Sequence, residues 1–403
     1  RWAIRVGEMV SDHRLNHRPV PLVLKIKNVL ANFLAFRNLK HSLGLERGRF
    51  VFSGGAPISP DILIPGEALK LAFYILRRLF LMLIVMLGVA TIVFFITHVI
   101  PADPVGAILG GNAPLETVDK LRHQLGLDQS LHVQYFRYLG GIFHGDFGVS
   151  IVSNHKVVDD ILEFFPATVE LACAAMCFTV LFGVFLGTVS AIKRNRPIDH
   201  ILRVFSILGV SMPGFWLGLL LLLLFYFKLG WLPGTGRNDL FAFVDNITGL
   251  VLVDSIITRN WAGLWDAVKH IILPAFVLGY ASAASVARIM RASMLDVLRQ
   301  DYIRTARSKG LGRRVVIFRH ALKNAMIPAV TVIGISFGDL LSGAVLTETI
   351  FSWPGLGRYI VQSLLVLDYP AITGATLFVA FIFSMANLVV DISYAALDPR
   401  MRL

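Results

Sequence analysis

Charge is what this sequence has least of. Only 16% of its 403 residues are Asp, Glu, Lys or Arg, against about 25% in an ordinary soluble protein. By contrast 56% are hydrophobic, and the mean hydropathy is +0.69. That excludes a soluble globular domain and places the chain among membrane proteins. Cysteine is nearly missing as well. Cys173 and Cys177 stand alone inside an apolar run, so no disulfide framework and no zinc site is expected, and both read as small packing residues. The dipeptide Gly-Lys occurs nowhere, which removes the G-x4-G-K-[ST] phosphate loop, and neither H-E-x-x-H nor a pair of C-x-x-C motifs is present. The chain is therefore expected to have no catalytic residues, metal or cofactor of its own. The net charge of +12 is gathered in particular loops, a pattern that orients a membrane protein and gives no reason to invoke nucleic acid.

What is abundant is apolar runs of membrane-crossing length. About 20 such residues span a bilayer, and six segments qualify: 79–100, 168–192, 201–229, 271–290, 327–350 and 372–397. Arg77 and Arg78 precede the first, and Pro101 ends it. Pro166-Ala167-Thr168 opens the second, which contains Gly183-x3-Gly187, a spacing that lets helices approach closely. The third carries Pro213-Gly214 as a kink and Gly214-x3-Gly218 for packing. Between the third and fourth, Ile247–Ile257 is apolar but too short to cross, so a helix lying at the outer face is expected. Gly334-Ile335-Ser336-Phe337-Gly338 satisfies the G-x-S-x-G pattern of hydrolase elbows, but it sits inside a continuous apolar span and not between strand and helix. His123, His132 and His144, nine and twelve residues apart, fit no helical ligand pair and read as surface or hydrogen-bonded histidines.

Loop charge sets the orientation. Residues 193–203 and 288–323 hold four and ten Lys or Arg, whereas 101–167, 230–270 and 350–371 hold four, three and one. The first two loops belong inside by the positive-inside rule. Both termini are then cytoplasmic, and residues 101–167 form an extracytoplasmic domain between the first and second spans.

The long basic interruption at residues 291–326 is the feature around which the rest is arranged. It reads as two short helices broken at Gly310-Leu311-Gly312. Met294, Leu295, Leu298, Tyr302 and Ile303 recur at helical spacing and give the first helix a face to bury. Gly310 needs the positive φ that a side chain resists.

Tyr302-Ile303-Arg304-Thr305-Ala306-Arg307-Ser308-Lys309-Gly310 resembles the EAA loop of ABC importer permeases, in the form of the dipeptide/oligopeptide/nickel branch. Arg304 stands where the family-wide consensus has an acid, and Thr305 replaces the first Ala, a variant of the peptide branch. The likeness continues in Leu121–Asp128, in Gly145-Asp146-Phe147-Gly148, in Thr347-Glu348-Thr349-Ile350-Phe351-Ser352-Trp353-Pro354-Gly355 and in the closing Asp398-Pro399. The resemblance implies an all-α, six-helix, type I importer permease of the bacterial inner membrane that moves peptides or a related solute such as nickel. It also implies its partners: a second, homologous permease, two ATP-binding subunits, an extracytoplasmic solute-binding protein and membrane lipid. The coupling residues carried over are Asp301, Tyr302, Arg304, Thr305, Ala306, Lys309 and Gly310.

Residues 1–66 do not fit that pattern, and the permease domain is placed at 67–403. Ten Lys or Arg stand there against four acids, with no spanning run. The stretch ends in a strand at Arg49–Ser53 followed by Ser53-Gly54-Gly55-Ala56-Pro57, which resembles an internal piece of long-chain acyl-CoA synthetases. The phosphate loop, adenine motif and catalytic lysine of that family are missing, so a basic cytoplasmic extension, a fusion or gene-boundary remnant, is expected.

Ionisable groups inside spans are costly and call for a role. Asp339, between Ser336 and Ser342, reads either as the lining of a translocation path or as an interhelical or intersubunit contact; Asp391 reads as structural. A proton-coupled secondary transporter is the competing reading of the whole chain. It calls for paired mid-span acids and inverted repeats.

Overall fold

The computed structural model describes residues 52–53, 56–57, 67–99, 114–125, 128–239 and 244–397. The backbone divides into two compact units, Arg1–Phe73 and Tyr74–Leu403. In the first unit, β1 (Phe52–Ser53) pairs antiparallel with β2 (Ala56–Pro57) in the register Phe52↔Pro57 and Ser53↔Ala56. Of the expected strand Arg49–Ser53, Phe52 and Ser53 are strand, and residues 49–51 lie outside the described residues. The remainder of the basic extension, and the Asp398-Pro399 ending, lie outside the described residues.

The other elements described are helices, with turns, irregular segments and an isolated Val149–Lys156 bridge between them. The order is α1 (Glu67–Val99), α2 (Leu115–Leu125), α3 (Leu131–Phe143), α4 (Val157–Ile192), α5 (Pro197–Ser211), α6 (Gly214–Lys228), α7 (Val251–Ile257), α8 (Trp261–Val297), α9 (Asp301–Ser308), α10 (Arg313–Ile350), α11 (Leu356–Leu365) and α12 (Tyr369–Leu397). Five of these helices are long and apolar enough to cross a membrane by themselves, and α5 with α6 makes a sixth span if the bent pair counts as one.

The three longest helices far outrun the bilayer. At 36 to 38 residues, α4, α8 and α10 extend about 55 Å at 1.5 Å per residue, against about 30 Å of hydrocarbon. The expected start at Pro166 is therefore too late: α4 begins at Val157 and passes through Pro166. Pro274 and Pro328 likewise lie inside α8 and α10. A proline removes one ladder bond, which neighbouring helices compensate in membrane proteins.

The third expected span needs a larger correction. Residues 201–229 are not one kinked helix; α5 and α6 meet at 111° across Met212-Pro213. Each has 15 residues, about 22 Å of helix, so neither crosses alone. Pro213 cannot donate to the ladder, and its ring keeps Met212 extended at ψ 128°, which ends α5.

Small residues set the packing of the bundle. A Cβ on Gly187 would lie 2.5 Å from the Ala287 carbonyl oxygen, one on Gly183 2.8 Å from Val286 Cβ, and one on Gly279 2.6 Å from the Ala175 carbonyl. The close approach expected of Gly183-x3-Gly187 is therefore made, and it joins α4 to α8. Gly214 of the second such motif meets nothing within 4 Å. Cys173 and Cys177, expected as packing residues, are exposed on α4.

At the end of the bundle opposite α9, α3 holds α1 through an aromatic cluster. Tyr135 and Tyr138 lie 5.2 and 5.4 Å from the Phe94 ring, and the Tyr135 and Thr91 hydroxyls are 2.7 Å apart. His132 and His144 are in hydrogen-bond contact with the Ser130 hydroxyl and the Gly140 carbonyl. The apolar stretch after α6 folds into α7, which is shorter than Ile247–Ile257. Burial pushes the Asp254 carboxyl up, but hydrogen bonds from the Thr248 hydroxyl and the Thr248 and Ile247 amides outweigh it and hold it below the usual carboxylate range.

Candidate coupling surface and translocation path

The basic stretch 291–326 is largely helix. Its first seven residues finish α8, its last fourteen begin α10, and α9 stands between them. The first expected helix is thus split. Arg299 and Gln300 donate their amides to the Asp296 and Val297 carbonyls, tightening the last turn of α8 until it stops. Gln300 is extended at ψ 150° and starts α9, with Asp301 placed where the helix dipole favours an acid.

The apolar positions still converge, but around a bend. Met294 and Ile303 are both wholly buried, and they share a cluster with Met290, Ala306, Val316, Ile317, Ala321 and Ala325. Tyr302 faces the other way: it is exposed, and its hydroxyl accepts from Asn324 Nδ2 at 2.8 Å. The end of α9 is closed by two reversed bonds, from the Gly310 amide to the Arg307 carbonyl at 3.0 Å and from the Leu311 amide to the Ala306 carbonyl at 3.3 Å. That pairing needs a left-handed residue, and Gly310 supplies it at φ +77°.

Six of the seven expected coupling residues, Asp301, Tyr302, Arg304, Thr305, Lys309 and Gly310, are exposed. Ala306 is the exception. At 7% exposure it points into the cluster beneath α9, so a change there tests the seating of the helix and not its outer face. The surface includes residues that sequence reasoning did not single out: Leu311 (40% exposed), Val315 (42%) and Phe318 (60%) stand among Arg304, Arg307, Lys309, Arg313, Arg314 and Arg319, all exposed. The signal that could have found them is apolar residues spaced 311, 315, 318 inside the one strongly basic stretch. Apolar anchors ringed by cations make a surface suited to docking against a groove with acidic edges.

The candidate path residues separate on α10. Ser336 is buried, while Asp339 and Ser342 are exposed on a face shared with Ile335, Gly343 and Leu346, at i, i+4, i+7, i+8 and i+11. The Asp339 carboxylate has no hydrogen-bond or ion-pair partner among the described residues; only its carbonyl accepts, from Ser342 Oγ at 3.2 Å. The interhelical contact considered for it is therefore not made among the described residues. The G-x-S-x-G string lies on continuous α10 helix, away from any strand. The Asp391 side chain lies outside the described residues.

Glu348 ends α10 fully buried, as an anchor. Its carboxylate accepts from Thr168 Oγ1 at 2.7 Å, from the Gly357 amide at 2.7 Å and from the Arg358 amide at 3.1 Å, which caps α11. Thr168 in turn accepts from the Leu356 amide, and buried Trp353 donates its indole N–H to the Ala167 carbonyl at 2.8 Å. Nearby, Arg237 donates its Nε to Glu170 at 2.7 Å beneath the Trp353 ring.

Two family models match this chain. Residues 183–403 match the binding-protein-dependent transport system inner membrane component, and residues 71–172 match the N-terminal part of such membrane components. A dipeptide transport system permease protein of Alkalihalophilus pseudofirmus is 44% identical over 329 residues, 82% of this chain and 99% of that one. A di/tripeptide transport system permease protein of Pseudomonas aeruginosa is 44% identical over 331 residues, 82% of this chain and 98% of that one. A glutathione transport system permease protein of Salmonella paratyphi A is 40% identical over 329 residues, 82% of this chain and 98% of that one. Matched over more than half its length by a family model and by near-complete relatives, this chain belongs to the inner membrane components of binding-protein-dependent transport systems: it is a multi-pass permease subunit of an ABC importer, and ATP hydrolysis lies in a separate subunit of the complex.

Proposed function

We propose that this permease moves dipeptides or short oligopeptides, and that α9 is the helix through which a separate ATP-binding subunit drives it. The observation that carries the substrate class is the 44% identity, over nearly the full length of the relatives, to permeases named for dipeptides and di/tripeptides. The glutathione permease at 40% also carries a small peptide-like solute by its name. The complex consists of this chain with a second, homologous permease, two ATP-binding subunits and a solute-binding protein. Residues 67–403 are the permease domain. The first 66 residues are dispensable, since the family match starts at residue 71; a chain lacking them keeps full peptide uptake, and loss of uptake at a normal membrane level would overturn that assignment.

The coupling role is supported by shape: a short, firmly seated helix presents Tyr302, Arg304, Thr305 and Lys309 outward. Thr305→Glu combined with Lys309→Glu leaves membrane levels unchanged, because both side chains are exposed. It weakens ATPase association by about tenfold or more through like-charge contact. Gly310→Val strains a left-handed turn by roughly 1–3 kcal/mol, with no clash to relieve because a Cβ there meets nothing. Pull-down of the ATPase subunit and labelled-peptide uptake read both effects. Wild-type values for both variants would reduce the stretch to a basic connector.

Asp339 lines the translocation path or the contact with the second permease. An ionised residue facing lipid costs about 2.5–3.5 kcal/mol, and its helix face is left uncovered by this chain. The orientation rests on loop charge. Externally added thiol reagent reaches cysteines placed at Asp128 and Asn246 in sealed cells and misses one placed at Lys309; labelling at Lys309 alone would invert the topology.

A further inference from the structure

A completely buried carboxylate sits where the chain leaves α4 for α5. Asp199 is 0% exposed, and its donors come from three separate segments. Ser190 Oγ on α4 donates to Oδ1 at 2.5 Å, and the Asn195 amide in the connecting turn donates to Oδ2 at 2.9 Å. Arg291 on α8 lays its guanidinium fork across both oxygens, Nε to Oδ1 at 2.8 Å and Nη2 to Oδ2 at 2.9 Å. This is the one ion pair between α5 and α8 among the described residues. Other ties between the two helices include the Tyr280 hydroxyl on the Phe205 carbonyl, the edge-on Phe205–Tyr280 rings at 4.9 Å and the Gly209–Ala284 contact.

A second arginine waits beside the first. Arg203, one turn along α5, holds its Nε 3.8 Å from Asp199 Oδ1, within ion-pair range but too far for a hydrogen bond. That Nε is buried and has no hydrogen-bond partner, while Nη2 rests 2.6 Å from His200 Nδ1. A carboxylate enclosed this fully cannot be stripped of its cation without a large penalty. A contact made only for stability needs one arginine. A contact that opens needs a replacement within reach, and here it is present with a spare donor.

We propose that Asp199 is the positioning residue that makes α5 follow α8 and α9, and that it exchanges Arg291 for Arg203 when the transporter changes state. Arg291 lies ten residues before Asp301, on the helix that runs straight into the α9 connection. A shift of α9 therefore loads this contact. α4 and α8 meet through three glycines, Gly183, Gly187 and Gly279, whereas α5 meets α8 through Gly209 alone and ends at a 111° break. The two arrangements of the ion pair form a discrete, two-state element of the kind that transmits coupling. The proposal rests on α9 being the coupling helix.

The test uses the reconstituted complex with its ATP-binding subunits and solute-binding protein, measuring ATP hydrolysis with and without loaded binding protein. Arg291→Gln leaves Asp199 permanently with Arg203, so basal hydrolysis rises by about fivefold or more and solute stimulation disappears. Arg203→Gln keeps the resting pair but removes the replacement, so solute-stimulated hydrolysis falls by about fivefold or more and basal hydrolysis does not rise. Arg291→Lys restores low basal hydrolysis and part of the stimulation, and it carries the test if Arg291→Gln does not accumulate in the membrane. Opposite signs for the two arginines are what a purely structural ion pair does not produce. The same sign for both, or wild-type behaviour of both, overturns the exchange. If the wild-type complex itself shows no solute-stimulated hydrolysis, it is the coupling reading of α9 that fails.

Discussion

Gly187→Leu abolishes accumulation of the permease in the membrane. Any side chain at this position would enter the α4–α8 contact, where a Cβ would lie 2.5 Å from the Ala287 carbonyl oxygen and 2.7 Å from Met290 Cβ. Neither neighbour yields easily: one is helix backbone, and the other belongs to a fully buried methionine. Overpacking costs about 1–3 kcal/mol where a core can adjust, and a leucine wedged against backbone exceeds that. The displaced helix also carries Arg291 and the approach to α9, so a surviving fraction loses coupling as well. Gly214→Ala is the matched control, since a Cβ there meets nothing. Fluorescence-detected size exclusion of detergent extracts reads the outcome: a monodisperse peak at wild-type height for Gly187→Leu would show that the two helices are not in van der Waals contact.

Glu348→Ala is the second large effect. The carboxylate satisfies the Thr168 hydroxyl and the Gly357 and Arg358 amides, all packed under Trp353. Each buried donor left without an acceptor costs about 1–3 kcal/mol, so the loss is on the order of 3–6 kcal/mol. Glu348→Gln is the milder change. Its Oε1 keeps the Gly357 and Arg358 amides while Nε2 donates to Thr168 Oγ1, whose hydroxyl accepts through its second lone pair. Glu348→Ala shows a thermal midpoint lowered by several degrees and faster proteolysis between α10 and α11, with Glu348→Gln between it and wild type. A wild-type melting curve for Glu348→Ala would mean that the carboxylate does not hold this turn. That arrangement also bears on the proton-coupled alternative. Paired mid-span acids were its expected sign, and of the two acids on α10 one is engaged on both oxygens in holding a turn.

Much of this was open to reading in the sequence. A run of some 20 apolar residues has few uses other than crossing a bilayer, and five of the six runs lie on helices long enough to cross. Gly310 closes α9 because a glycine after a short polar helix is the residue that tolerates a left-handed turn. The family resemblance was carried by local strings such as Tyr302–Gly310 and Thr347–Gly355, which need no tertiary information. Other features left no local mark. Arg299 and Gln300 interrupt the helix without proline or glycine, and Pro213-Gly214 announces a break but not an angle of 111°.

What the sequence determined by itself, then, is membrane class, family, five of the spans and the position of the basic stretch, because each follows from composition or short-range pattern. What only the tertiary structure decided is partnership across the chain. Gly183-x3-Gly187 and Gly214-x3-Gly218 are the same motif, yet both glycines of the first press on α8, while in the second Gly214 meets nothing and Gly218 meets only the Ile350 and Phe351 side chains. Ala306 and Thr305 are neighbours, yet one is buried against Met294 and Val316 and the other is free to dock. Asp199 gains its partner from 92 residues away, and Glu348 gains one from 180. Burial and pairing are properties of what another segment brings to a residue, and no window along the chain contains both.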